Sequence, residues 1–521
     1  MITRRIGVPF LGFTDVVDTH IEQALEHCLT PGAAVSVAMG DEIVFARGYG
    51  VSEIGRGHLV DEQTVFGLGS ISKTFTAAIV ARFVDRGLIN WDDNVVDHLP
   101  SFRLADPWIS ANVTVRDILT HRVGLDEWEN NFPWMFGGLT RKEFVARLRH
   151  LGPRERFRDC CSYSNALFNV LGEMLEAVTG NSWEELVGEE VFAPLKMTRS
   201  ISGHDKLVPL ANLAPYWGGR APYRALRGEL GLLPGIANVA TPHGPDRSGN
   251  QVIYPWHHQQ VTAAATNVAS TAHDMGLYMI AHLRGATFLK PHTLREMFKP
   301  QNLHAPREGM QAMGLGWFIC DRKGTSVLTH GGGQVGYTSL TSIVPSQNIG
   351  VTVLLNDDFA SRKTKPLLSL ISSALVDAAL GLPPDASERA LIQTLANGRS
   401  AMVEKDVIGE TSQIGERRVV EPELPLDRYA GSYTHSANGR LDVVVSENKL
   451  FFEFAPLIAG ELVHENGERF RLRFDTEHFH NHNLILRFCT EMKPQADSLT
   501  LTGLPTANGY QSATKWIYSR S

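Results

Sequence analysis

Three short groups of residues carry the reactive chemistry of this chain. Gly67-Leu68-Gly69-Ser70-Ile71-Ser72-Lys73 sets a serine hydroxyl three residues ahead of a lysine amine. In a helix, one turn brings the two side chains to the same face. The start of a helix also leaves free N–H groups and a positive dipole end beside the serine. A serine hydroxyl is a weak nucleophile until a base lies within hydrogen-bond reach, so Ser70 reads as a nucleophile and Lys73 as its activator. The plainer alternative is that Ser70 is only a helix N-cap. The same spacing recurs at Ser446/Lys449 and Ser512/Lys515. Those pairs fall in a hairpin turn and near a strand, where positions three apart face opposite sides.

Two further groups each occur once, Tyr163-Ser164-Asn165 and His330-Gly331-Gly332-Gly333. Alone, the first is an ordinary helix entry and the second an ordinary strand end. Beside Ser70 and Lys73 they acquire a role. A nearby ammonium stabilises a phenolate, so either neutral Lys73 or ionised Tyr163 can take the serine proton; the sequence does not choose between them.

Motifs for other chemistries fail on context. Residues 331–336 satisfy G-x-G-x-x-G, but strand formers follow at 337–344 where a dinucleotide site needs a helix. Gly-x-Ser-x-Gly and His-Glu-x-x-His are absent, which argues against an α/β-hydrolase elbow and a zinc-peptidase helix. His478, His480 and His482 alternate as in an exposed polar strand rather than a metal site, and no cofactor is expected. His121, His257 and His258 read as loop and packing residues. Trp128, Phe132, Trp134, Phe136, Tyr216, Tyr223, Tyr254 and Trp256 fall in loops; some would line a cleft and others pack the loops themselves.

The elements that must position these residues follow from periodicity. Helical stripes cover 16–28, 72–86, 115–119, 166–178 and 271–283, with a last helix over 365–380. Strands are predicted at 33–39, 43–49, 325–329, 337–344 and 349–355. Terminal helices beside an antiparallel sheet, with a helical lobe inserted, make an α+β fold. From 381 to 425 the chain turns rich in Pro, Glu, Arg and Ser without a strand pattern, a linker. Beyond it short strands alternate with turns, at 441–445, 450–454, 470–474, 484–488, 499–502 and 514–518, as in a small antiparallel barrel or sandwich.

Ser70-x-x-Lys73, Tyr163-x-Asn165 and His330-Gly331-Gly332 together resemble the three motifs of the superfamily of class C β-lactamases, penicillin-binding proteins and D-aminopeptidases. The stretches 114–125 and 266–275 resemble it as well, and the tail is similar to a lipocalin-like β-barrel appended to some members. The resemblance implies a β-lactamase-like domain over 1–382, a linker over 383–425 and a barrel over 426–521. It implies an acyl-enzyme on Ser70, with Asn165 holding Lys73 and the substrate amide. The oxyanion would meet the N–H groups of Ser70 and Gly333, beside Gly332. His330 stands where many β-lactamases have lysine. A neutral imidazole recognises a substrate carboxylate poorly, so the departure favours an aminopeptidase, amidase or esterase over a β-lactamase or carboxypeptidase. Ser-Asp-Asn, the class A partner motif, is absent. The leading expectation is a D-aminopeptidase-like hydrolase of small peptides. Esterase, acyltransferase or peptide cyclase, and β-lactamase, are the alternatives, and a silent binding protein with a ligand in the barrel is a more distant one.

Composition agrees with a soluble enzyme of two or three domains: 521 residues, 43% hydrophobic and 20% charged. A net charge of −7 without a basic run excludes nucleic acid as the main partner. No apolar stretch is long enough to span a bilayer, and no secretory leader is read. Five cysteines without paired spacing point to a reducing cytoplasm. The partner expected is a small-molecule or peptide substrate, with homo-oligomers left open.

Overall fold

A computed structural model describes residues 18, 21–26, 28–125, 139–203, 238–254, 260–304, 311–358, 364–382, 422 and 424–520, less 154, 160, 247, 285–287, 437–438, 456–457, 475–483, 490–495, 497 and 503–515. The expected histidines 257, 258, 478, 480 and 482 lie outside the described residues, as do most of the linker and all the loop aromatics named above except Tyr254.

The first large sheet has eight antiparallel strands: β1 (Gly32–Met39), β2 (Glu42–Gly50), β3 (Asn302–His304), β4 (Gln311–Met313), β5 (Phe318–Arg322), β6 (Thr325–Gln334), β7 (Tyr337–Val344) and β8 (Ile349–Leu355). Their spatial order is β2-β1-β8-β7-β6-β5-β4-β3. The sheet separates two cores. Ala33, Val35 and Val37 of β1 face one, with Ile21, Ala24 and Leu25 near the amino terminus and Leu367, Ile371 and Leu375 of the helix Thr364–Ala379. Ala34 and Ala38 face the other, built with the helical lobe. Because both faces are covered, β8 is buried at every position and reads as a continuous apolar run rather than an alternation.

Four helices of the lobe matter for the site: α1 (Ser72–Arg86), α2 (Val115–Leu119), α3 (Arg141–Arg147) and α4 (Asn165–Thr179). α1 ends at Gly87 with φ 73°, and α4 at Gly180 with φ 81°, left-handed caps that glycine takes without steric cost. A small three-stranded sheet, Phe66–Gly67, Val268–Ser270 and Ile201–Ser202, lies just ahead of α1.

The tail is a closed eight-stranded antiparallel barrel, consecutive strands pairing in order: β9 (Gly431–His435), β10 (Gly439–Ser446), β11 (Lys449–Ala455), β12 (Ile458–Asn466), β13 (Arg469–Phe474), β14 (Ile485–Cys489), β15 (Ser498–Thr502) and β16 (Trp516–Arg520). The sequence predicts six of these and misses β9 and β12. Tyr429, Tyr433, Phe452, Phe470, Phe488 and Tyr518 pack together in the interior. The barrel abuts α3, where a Cβ on Gly439 would meet the Arg147 guanidinium at 3.0 Å. Among the described residues no helix is long and apolar enough to cross a membrane.

Candidate active site

Ser70 sits in a 3₁₀ turn, Gly69–Ile71, that runs into α1. It is not the N-cap of that helix: Ile71 is, and no side chain caps it. The neighbouring Ser72 has the structural task instead, donating to the Gly69 carbonyl at 2.7 Å and accepting from the Val268 N–H at 2.9 Å. Those bonds pin the turn to the small sheet and leave the Ser70 hydroxyl half-exposed and available.

One turn into α1, Lys73 is fully buried. Its Nζ lies 3.0 Å from Ser70 Oγ and 3.1 Å from the Ala265 carbonyl, and it also donates to Asn165 Oδ1. Three N–H groups of an ammonium fit these three neighbours. So do the two N–H groups and the lone pair of a neutral amine, with the lone pair toward Ser70. The ring of Tyr163 stands over Nζ, its centroid 4.7 Å away.

Asn165 is the first residue of α4. Its neighbour Ser164 caps the helix by accepting from the Leu167 N–H at 3.4 Å. The segment leading in is tied to α2 by an ion cluster, Arg158 and Arg122 on the buried Asp117. Burial pushes the Asp117 carboxyl up, but hydrogen bonds from Arg158, the Thr114 N–H and Arg122 outweigh it and hold it below the usual range.

His330 corrects one expectation. The strand does not stop at Thr329; β6 continues through His330-Gly331-Gly332-Gly333 to Gln334, paired with β7. On the other side β5 pairs with β6 only as far as Thr329, opposite Phe318. Beyond that point Leu68 and Gly69 of the nucleophile turn close on the strand: a Cβ on Gly332 would lie 1.9 Å from the Leu68 carbonyl oxygen, and one on Gly69 2.7 Å from that of Gly333. Ser339 of β7 donates to the same Leu68 carbonyl at 2.7 Å. Glycine at 332 is therefore what lets the third motif touch the first.

His330 is 1% exposed, and its Nδ1–H donates to the Gly331 carbonyl at 2.8 Å. Its Nε2 is buried and has no hydrogen-bond partner among the described residues. Burial, then the charge on Lys73, push its pKa down to about 3, against the opposite pull of the Gly331 carbonyl. The imidazole is neutral across the working range of most enzymes, with an unprotonated acceptor at Nε2.

All seven residues predicted for the site meet at the junction of α1, α4 and β6. The other Ser-x-x-Lys pair within reach, Ser446 and Lys449, faces across the β10–β11 hairpin. Sequence reading missed the Ala265 carbonyl and Phe318. The first lies beside the 266–275 stretch; Phe318, whose ring stands 6.1 Å from Tyr163 and 5.4 Å from His330, is on a strand too short to announce itself. Among the described residues no group of three His, Cys, Asp or Glu stands where it could hold a metal.

Comparison with known proteins agrees with this fold. The family described as Beta-lactamase matches residues 17–373, and a domain of unknown function, DUF3471, matches residues 416–513. An unguisins hydrolase of Aspergillus campestris is 24% identical over 453 residues, 82% of this chain and 77% of the relative. Among solved structures, the octameric penicillin-binding protein homologue from Pyrococcus abyssi aligns at a TM-score of 0.59 and 18% identity, over 97% of this chain and 100% of its own. A D-stereospecific amidohydrolase from Streptomyces aligns at 0.54 and 22% identity, over 70% and 99%. At these identities the structural likenesses carry the fold.

Proposed function

The chain belongs to the beta-lactamase family and is a serine hydrolase, and from that premise we propose that it cleaves amide bonds of small peptides containing D-amino acids through an acyl-enzyme on Ser70. The single observation that carries the substrate half is the burial of His330, with its Nδ1–H committed to the Gly331 carbonyl, where a lysine would present a cation. A cation in its place would hold a substrate carboxylate beside the scissile bond, as a carboxypeptidase or β-lactamase requires. A buried neutral imidazole offers no such cation. The similarity to a D-stereospecific amidohydrolase supports an amide with D stereochemistry as the target class.

The steps follow from the contacts. Ser70 Oγ attacks the carbonyl carbon while its proton passes to Lys73 or Tyr163. The oxyanion is held by the N–H groups of Ser70 and Gly333, a pairing supported by the close approach of Gly69 to the Gly333 backbone. The amide nitrogen takes the proton and leaves, and a water hydrolyses the ester. Asn165 keeps Nζ aimed at Oγ throughout.

The test is intact mass after a fluorophosphonate, with turnover of a panel of D- and L-aminoacyl amides and esters. A single adduct at Ser70 and product from D-amides is the expected result. Turnover of esters alone would replace the reading by an esterase or acyltransferase, and turnover of L-amides alone would sink its stereochemical half. Tyr163→Phe should raise the acylation barrier by ~2–4 kcal/mol if the phenol takes part in proton transfer.

A further inference from the structure

His121 lies just past the end of α2, in left-handed backbone at φ 54°. That position at a helix end is ordinarily glycine or asparagine, because a Cβ there costs energy. Here a fully buried histidine bears the cost. Its carbonyl accepts from the Ser162 N–H at 2.7 Å, and its Nδ1 accepts from the Ser164 N–H at 3.0 Å. One residue therefore binds the backbone on both sides of Tyr163. Its ring also packs at a tilt against Tyr163, 4.3 Å between centroids, and against Phe168 at 5.1 Å.

We propose that His121 is the positioning residue for Tyr163, its imidazole acting as a backbone acceptor that fixes the phenol against Lys73. The inference rests on the reading of Tyr163 as a proton carrier. An acceptor at Nδ1 puts the ring proton on Nε2, so the clasp belongs to the neutral tautomer. The bond to Ser164 also orders the first turn of α4, where Asn165 holds Lys73. His121 thus sets two of the three side chains around the lysine without touching a substrate.

Three variants test it in the full chain, with the rate of Ser70 phosphonylation by a fluorophosphonate as the readout. His121→Gly relieves the left-handed strain and removes the clasp. It should stay folded and lose the maximal labelling rate by ~10–100-fold, the scale of a small misplacement, with the half-saturating probe concentration nearly unchanged. His121→Asn offers an oxygen where Nδ1 stood and tolerates the backbone, so it should recover most of the rate. His121→Leu keeps bulk without an acceptor and should fall with the glycine variant. Should His121→Gly fail to fold, the contrast between asparagine and leucine carries the same information. Equal rates for the asparagine and leucine variants, or a fast glycine variant, overturn the proposal. Tyr163→Phe in the same assay separates the two levels. If it labels as fast as the native chain, the reading of Tyr163 fails and His121 has nothing to position. If it is slow while His121→Gly is fast, only the role of His121 falls.

Discussion

Among the described residues, every polar or charged residue that is buried as a whole falls at or before Asp377; the barrel interior is mostly hydrocarbon, phenylalanine and tyrosine, with the Glu468 carboxylate oxygens and the Tyr518 hydroxyl also buried there. The sheet unit buries Lys73, Asn165, Asn169, Asn267, His282 and His330 almost completely. Several lack full satisfaction among the described residues: Asn267 has neither side-chain atom hydrogen-bonded, and Nε2 of His282 and of His330 is without a partner. An unpaired buried polar group costs ~1–3 kcal/mol. Of the two regions, then, the sheet unit carries the larger cost of buried polar groups, and the candidate site around Ser70 lies within it.

The sharpest way to probe that contrast is Ser70→Ala. Turnover should fall by about 10⁴- to 10⁶-fold, as when a nucleophile is removed from other serine hydrolases, while melting of the chain stays where it was. Residual turnover close to native would displace the nucleophile to another residue. Lys73→Met comes next. It trades a buried amine for a methyl thioether of similar length, so acylation should drop by about 10²- to 10⁴-fold and the melting temperature should hold or rise; a matching loss of stability would mean that the lysine is a structural strut. Phe470→Ala inverts the pattern. It should cost ~3–5 kcal/mol in the stability of the barrel and leave the rate of Ser70 labelling in the folded protein within a few-fold. If labelling collapses with it, the two regions are one cooperative machine and the comparison breaks.

The smallest effect is on pH. Burial pushes the pKa of His282 and of His243 down to about 4, and burial with Lys73 pushes that of His330 to about 3. Each binds a proton less tightly folded than unfolded. As the pH drops below about 6.5 the unfolded chain takes up those protons first, so stability present above that value is lost between about pH 6.5 and 4. The shift of His282 is worth about 3 kcal/mol at most. Denaturant midpoints measured at pH 7.5 and 4.5 should therefore fall in the sheet unit, read by fluorescence of Trp317 and Trp183, and move less in the barrel. An acid loss that is equal in both regions would trace to some other group.

How much of this was legible depended on whether a signal is local. Ser70, Lys73, Tyr163 and Asn165 stand at fixed spacings on helix entries, and their assembly follows once those helices form. The extension of β6 was not legible from the residues themselves, since three successive glycines read as a strand end; the facing Ser339 and the approach of Leu68 show why a strand must lack side chains there. β9 and β12 were hidden for a related reason, since Gly431-Ser432 and Gly460-Glu461 weaken the alternation that marks a strand. His121 was read as packing because its partners, Ser162 and Ser164, lie some forty residues away and no periodicity connects them.

Closure of the barrel has a consequence for self-association. A strand whose hydrogen-bonding groups are all engaged by its neighbours offers nothing to another chain, so eight adjoining strands can be carried without inviting ribbon-to-ribbon aggregation. Among the described residues the other large sheet ends on β2, whose last residues meet the segment around Val60, and on β3. β2 is guarded by exposed charge at Glu42 and Arg47, whereas β3 is three residues long and presents Leu303 at 64% exposure. Of the two large sheets, the one adjoining the nucleophile is thus the one with rims to defend, and it defends them by charge on one side and brevity on the other.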